Sequence, residues 1–229
     1  MKYKTLFAFL LLSTFASARD LEKRALSYFD EIKISGNLRV ELVHSDTLGI
    51  EIYDICCSMS EIKIDQTGSL LKINNDKGLI NDNDFDIVIY YTTLDNIIVQ
   101  RGAQLQCRED INGNSLNIAA YSGSNINLGV SLDYLDIMVS AGSSAHINGN
   151  VDYLKANVNT GASLEMERTN SRKAEVKALT GGMMTCSVKD EIKAIAGTGG
   201  SIEFIGNPRI TDLDTHLGGS ISCNKRSVK

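Results

Sequence analysis

The second half of the chain repeats one pattern of apolar and polar positions. Around Gly102, Gly123, Gly142, Gly161, Gly181, Gly197 and Gly218 the same context recurs, at spacings of 21, 19, 19, 20, 16 and 21 residues. Five and three residues before each glycine the positions are almost wholly apolar, as in Ile118 and Ala120 or Ile137 and Val139. Three and five residues after it they are apolar again, as in Ile126 and Leu128. Between these last two lies a polar residue, such as Gln106, Asn127, His146 or Glu165. A step of two between apolar positions is the period of a strand with one face buried. Each unit is therefore a strand, a bend at glycine and a second strand.

A unit of about 20 residues cannot bury its apolar face alone, so the units must stack on one another. The predicted fold class is all-β: a single-domain β-solenoid, parallel β-helix-like, with coils of about 20 residues, preceded by irregular N-terminal strands. In such a stack Ile118 rests on Ile137, and seven coils make a section roughly 30 Å long. The glycine belongs at a corner, either because φ is positive there or because a side chain would meet the next coil. Small neighbours such as Ala103, Ser124, Ser143, Ala162, Gly182, Thr198 and Gly219 suit that corner. The stretch LDYLDIMVS imitates a leucine-rich repeat, but that fold needs a helix or loose segment in each unit, and here the second half keeps its period of two. The 16-residue spacing puts the register around Met183 and Gly197 in doubt.

From Phe29 to Tyr91 the alternation continues less regularly, in FDEIKISGNLRVELVHSD, LGIEIYD, SEIKIDQTGSLLKINND and FDIVIYY. These strands are expected to join the solenoid and to cover one of its ends, where an uncovered edge would invite association.

The first residues change the picture of where the protein works. MKYKTLFAFLLLSTFASARD has two early lysines, a short apolar run and Ala16-Ser17-Ala18, the layout of a secretory signal peptide cleaved before Arg19. The apolar run is too short to span a bilayer, and no cysteine follows the cleavage point to take a lipid. The expected organisation is a signal peptide over 1–18, a short segment over 19–28, the solenoid over 29–223 and a polar tail over 224–229. The protein is expected to be exported, to the periplasm or the cell surface. No later segment is apolar enough to span a membrane. Without residues 1–18 the chain has 21 basic and 28 acidic residues, a net charge of −7. That excess of acid lacks the basic footprint of a nucleic-acid binder.

The order of features now resembles a known family. The opening YFDEIKISGNLRVELVHSD, the strands LLKINND and FDIVIYYTTLDNIIVQRGA, the succession of small-Gly-small corners and the closing IEFIGNPRITDLDTHLGGSIS are similar to the GIN domain. This is the auto-transporter adhesin head domain, common in Bacteroidetes. The likeness runs from about Phe29 to Ser222 and rests on order and spacing, including Gly206-Asn207-Pro208 before the last coil. It implies a β-helix-like fold on an exported envelope protein. It transfers no catalytic or ligand residue.

Reactive groupings are scarce. His44, His146 and His216 are far apart in sequence, and the chain has no H-E-x-x-H, C-x-x-C, G-x-S-x-G or phosphate-loop pattern. No catalytic residue, cofactor or metal is assigned. NDNDFD, residues 81–86, faintly imitates a calcium loop but lacks its glycine and late glutamate, so it reads as a solvated turn. Cys107, Cys186 and Cys223 fall in one inward column and read as small buried hydrophobes. Cys56 and Cys57, adjacent on a strand, would face opposite ways, and their redox state is open. Asp136 and Glu165 do not share a column, and no paired carboxylates emerge for glycoside chemistry.

One outward feature breaks the polar rule. Ile98, Ala119 and Met138 stand four residues before the first three glycines, with Tyr121 close by, and stacking would gather them into an apolar stripe. Either the N-terminal strands lie over it or it is a partner surface. The leading functional expectation is a non-enzymatic envelope protein, an adhesin-like binding or surface-presentation module for a surface glycan or protein partner. The alternatives are a structural, self-associating envelope component and a carbohydrate-active β-helix enzyme.

Overall fold

The computed structural model describes residues 20–54, 62–75 and 85–224. The proposed signal peptide, Cys56 and Cys57, and residues 81–84 of the calcium-like stretch lie outside them. Every regular element is a strand: β1 (Asp20–Ala25), β2 (Glu31–Ser35), β3 (Leu38–His44), β4 (Gly49–Asp54), β5 (Ile62–Thr67), β6 (Leu70–Asn75), β7 (Phe85–Tyr91), β8 (Asn96–Gln100) and β9 (Gln104–Cys107). The long strands β10 (Ile111–Tyr121), β11 (Asn125–Val139), β12 (Ser144–Val158), β13 (Ser163–Leu179) and β14 (Met183–Gly197) follow, then β15 (Ser201–Ile205), β16 (Ile210–His216) and β17 (Ser220–Asn224). The fold is the expected β-solenoid, and the described residues contain no helix that could cross a membrane.

The corners show how the repeat closes. Ala141 (φ 54°) and Gly142 (φ 71°) form the centre of a β-turn in which both residues are left-handed. The Ser143 N–H donates to the Ser140 carbonyl at 3.3 Å, and the Gly142 N–H reaches forward to the Thr160 carbonyl of the next coil at 3.1 Å. The same bond, at the same 3.1 Å, links Gly102 to Ser122, Gly123 to Ala141, Gly161 to Thr180 and Gly181 to Thr198. A Cβ on Gly142 would meet nothing within 4 Å, so glycine is needed there for its backbone angle and not for space.

In the sixth coil the corner is Thr198-Gly199 and not Gly197. Register confirms the shift by two: Val176 pairs with Ala194, which pairs with Leu213. The columns of this coil are therefore Ala194, Ala196, Ile202 and Phe204, all buried. The small residue beside this corner is Gly200, not Thr198. A Cβ there would lie 2.1 Å from the Ala178 carbonyl oxygen, which excludes any side chain.

Stacking is parallel through the coils. Ile118 pairs with Ile97 below and Ile137 above, and both partners are buried. One run of the stack continues downward through β8, β2 and β6, the other through β9, β3 and β7. The N-terminal end finishes in antiparallel strands: β5 on β6, β4 on β7, and β1 on β4. At the other end β16 and β17 form the last coil with nothing above them among the described residues. All seven residues of β16 are exposed, including the inward-column Leu213 at 46 %.

The open end also corrects the cysteine column. Cys186 is fully buried between Met166 and Phe204, and burial pushes its thiol up to about 12. Cys107 is half-buried, with its Sγ 3.7 Å from the Tyr91 hydroxyl. Cys223 pairs with Phe204 but is exposed, because no further coil covers it.

Candidate functional site

The stripe Ile98–Ala119–Met138 forms one outer row through direct register pairs. Ile98 and Ala119 are half-buried, Met138 is 38 % exposed, and the Tyr121 hydroxyl lies 3.2 Å from the Met138 sulfur. None of the described N-terminal strands lies over this row. β2 joins β8 edge to edge, so Lys33 extends the row below Ile98 while Asn157 ends it above Met138. Charged or amide side chains thus bound the apolar stripe at both ends.

A larger feature lies at the second bend of each coil, between the two runs. Here the chain turns without a repeated glycine, and an open groove of about 1090 Å³ runs across successive coils. Its columns follow from register. Ser131 pairs with Asn150, Asn150 with Asn170, and Asn170 with Ser187. The Asn170 side-chain N–H donates to Asn150 Oδ1 at 3.1 Å, so part of the column is a carboxamide ladder. Beside it, Leu132, Val151, Ser171 and Val188 form a buried floor. Ser171 is 2 % exposed and its Oγ has no hydrogen-bond partner.

The third column carries the charge. Asp133 and Asp152 occupy the groove on adjacent coils, followed by Arg172 and Lys189. Arg172 Nε lies 3.7 Å from Asp152 Oδ1, a loose contact between side chains 55 % and 61 % exposed. At Arg172 the ladder bulges: Ser171 pairs with Val188 and Lys173 with Glu191, so Lys189 and Asp190 oppose a single residue. Next to the carboxylates Tyr134 and Tyr153 stack, with centroids 5.6 Å apart and planes 15° from parallel. Burial and then the nearby Glu175 carboxylate raise the Tyr153 hydroxyl above its ordinary range.

The groove therefore assembles two carboxylates that reading the sequence did not collect. Asp136 and Glu165 stand apart as expected: Asp136 accepts from Lys155 Nζ at 2.7 Å, and Glu165 faces His146 at 3.4 Å. The signal for the missed pair was present as LDYL (132–135) and VDYL (151–154), one phrase written twice at a coil's spacing. His44 packs edge-on to Tyr91, and His216 faces Asp214 at 3.1 Å, so the three histidines serve three separate places. No group of three metal-ligating side chains occurs among the described residues. Asp86, the described carboxylate of the calcium-like stretch, accepts from Arg39 Nε at 2.7 Å.

Residues 28–208 match the family described as "Putative auto-transporter adhesin, head GIN domain". The chain belongs to this family. The GIN domain match stops at Pro208, so the exposed last coil lies beyond it. Among solved structures, a putative adhesin from Bacteroides fragilis NCTC 9343 is similar at 18 % identity, with a TM-score of 0.82, covering 91 % of this chain and 98 % of that one. A putative adhesin from Parabacteroides distasonis ATCC 8503 is similar at 18 % identity and a TM-score of 0.75, covering 90 % and 97 %. A putative lipid binding protein from the same strain has 18 % identity and a TM-score of 0.70, covering 92 % and 98 %. Identity at this level speaks for the GIN fold alone. No curated protein matches the sequence.

Proposed function

We propose that this GIN domain is an exported, non-enzymatic binding module of the cell envelope, and that its second-bend groove holds an adhesive ligand. The observation behind the reading is the groove itself. It is open, crosses several coils and is lined by amides, hydroxyls and charges repeated about every 4.8 Å along the stack. Membership of an adhesin-like family supports a surface role, and the signal-peptide pattern of residues 1–18 supports export. A wall whose backbone is held by parallel register has little backbone freedom to lose when a ligand binds.

The test is binding of the purified protein to glycan arrays and to host matrix proteins, repeated with Asn150→Ala/Asn170→Ala. The expected result is a set of ligands that the double variant no longer holds. Binding that the variant leaves intact would remove the groove from the function.

A carbohydrate-active enzyme is the second reading, and the Asp133–Asp152 pair favours it. Adjacent coils put their backbones about 4.8 Å apart, close enough for two-carboxylate chemistry. A general acid of that kind needs burial to hold its proton at neutral pH, however, and the Asp152 side chain is 61 % exposed. Turnover of a bound glycan that stops in Asp133→Asn would decide for the enzyme.

A further inference from the structure

We infer that the groove takes an acidic polysaccharide laid along the solenoid axis, with a sugar carboxylate seated at Arg172 and Lys189. The inference rests on the groove-binding reading above and adds the chemical class of the ligand and its direction.

In a parallel stack the backbone N–H and C=O groups are spent between coils, so a peptide finds no strand edge to extend here; the open edges lie at the ends of the stack. What the groove presents is side chains, one set per coil. Asn150, Asn170 and the serines beside them are donors and acceptors matched to hydroxyl groups. An extended pyranose chain advances per sugar by a step similar to the coil spacing, so each sugar meets an equivalent set.

The charged column is not uniform: two carboxylates occupy the coils nearer the N-terminus and two cations those nearer the C-terminus. Asp133 and Asp152 accept from neutral sugar hydroxyls and repel acid groups. Arg172 contacts Asp152 only through Nε at 3.7 Å, which leaves most of its donor fork open, and Lys189 has no ion pair among the described residues. With a net charge of −5 for the whole chain, general attraction for polyanions is absent, so selection of an acidic sugar must be local.

Calorimetry of the purified protein with tetragalacturonate, an alginate tetramer and the carboxyl-reduced counterpart of each tests the inference. The acidic oligomers should bind at least tenfold more tightly than the reduced ones, with an advantage that falls as salt rises. Arg172→Gln/Lys189→Gln should abolish that advantage, while Lys193→Gln, an exposed lysine outside the groove, should preserve it. Both groove cations are exposed, so a matching melting temperature will show that the variant folds. Equal affinity for acidic and reduced oligomers, or no binding of any acidic member, overturns the inference. The groove reading then stands if array ligands remain sensitive to Asn150→Ala/Asn170→Ala, and falls with it if they do not.

Discussion

Ile118 and Ile137 are direct register partners on adjacent coils, and neither exposes more than 2 % of its surface. Their contact carries the solenoid, because each inward column is a chain of such pairs. Ile137→Ala should lower stability by about 2–5 kcal/mol, since rigid neighbours above and below cannot close the cavity. Chemical denaturation measures it. A change under about 0.5 kcal/mol would mean that the column collapses freely around a missing side chain.

Two glycines a few coils apart should respond differently to the same change. Gly142 is left-handed with free space at its Cβ, so Gly142→Ala should cost about 1–2 kcal/mol of backbone strain. At Gly200 the new Cβ would sit 2.1 Å from the Ala178 carbonyl oxygen, and two coils must separate to admit it. Gly200→Ala should cost about 3 kcal/mol or more. Equal losses from the two variants, read in the same denaturation experiment, would contradict this division of roles.

Burial of Cys186 makes stability depend on alkaline pH. The thiol ordinarily titrates near 9, and in the folded protein is pushed up to about 12. Below pH 9 both states keep the proton and its contribution is whole. As pH rises from 9 toward 12 the unfolded chain releases the proton first, so folding loses ground. The stability advantage of the native protein over Cys186→Ala should therefore shrink across that window, measured by denaturation at a series of pH values. A constant difference would show the thiol ionising freely inside the fold. Site-resolved labelling should likewise find Cys223 reactive in the native protein and Cys186 reactive only after unfolding.

Met138→Lys should leave the melting temperature nearly unchanged, with a stability effect within about 0.5 kcal/mol. The residue is 38 % exposed and no described strand covers it. We expect any effect of this variant to fall on association, which sedimentation measures. A large loss of stability would instead reveal a cover over the stripe.

Most of the architecture was legible because burial repeats at a fixed step. Ile118, Ile137 and Val176 mark the inward columns without any knowledge of coordinates. The register failed where AGTGGS offers three glycines in four positions, Gly197, Gly199 and Gly200. A side-by-side reading with LTGGM would have resolved it, since Thr180-Gly181-Gly182 and Thr198-Gly199-Gly200 are the same corner. The groove was harder to see. Ser131, Asn150, Asn170 and Ser187 are ordinary surface residues one at a time, and bulges near Thr169 and Arg172 break their even spacing. Only pairing across coils turns them into a column. Exposure of Cys223 was hidden for another reason: a column predicts direction, and burial also requires a coil on top.

The second bend gives this protein a ruler. Since each added coil would contribute one more rung of amide, hydroxyl and charge, the reach of the trough is counted in whole repeats. Duplicating a single repeat would lengthen it by about 4.8 Å without disturbing the rungs already in place. The length of the trough would thus follow the number of coils alone, with the chemistry of each rung untouched.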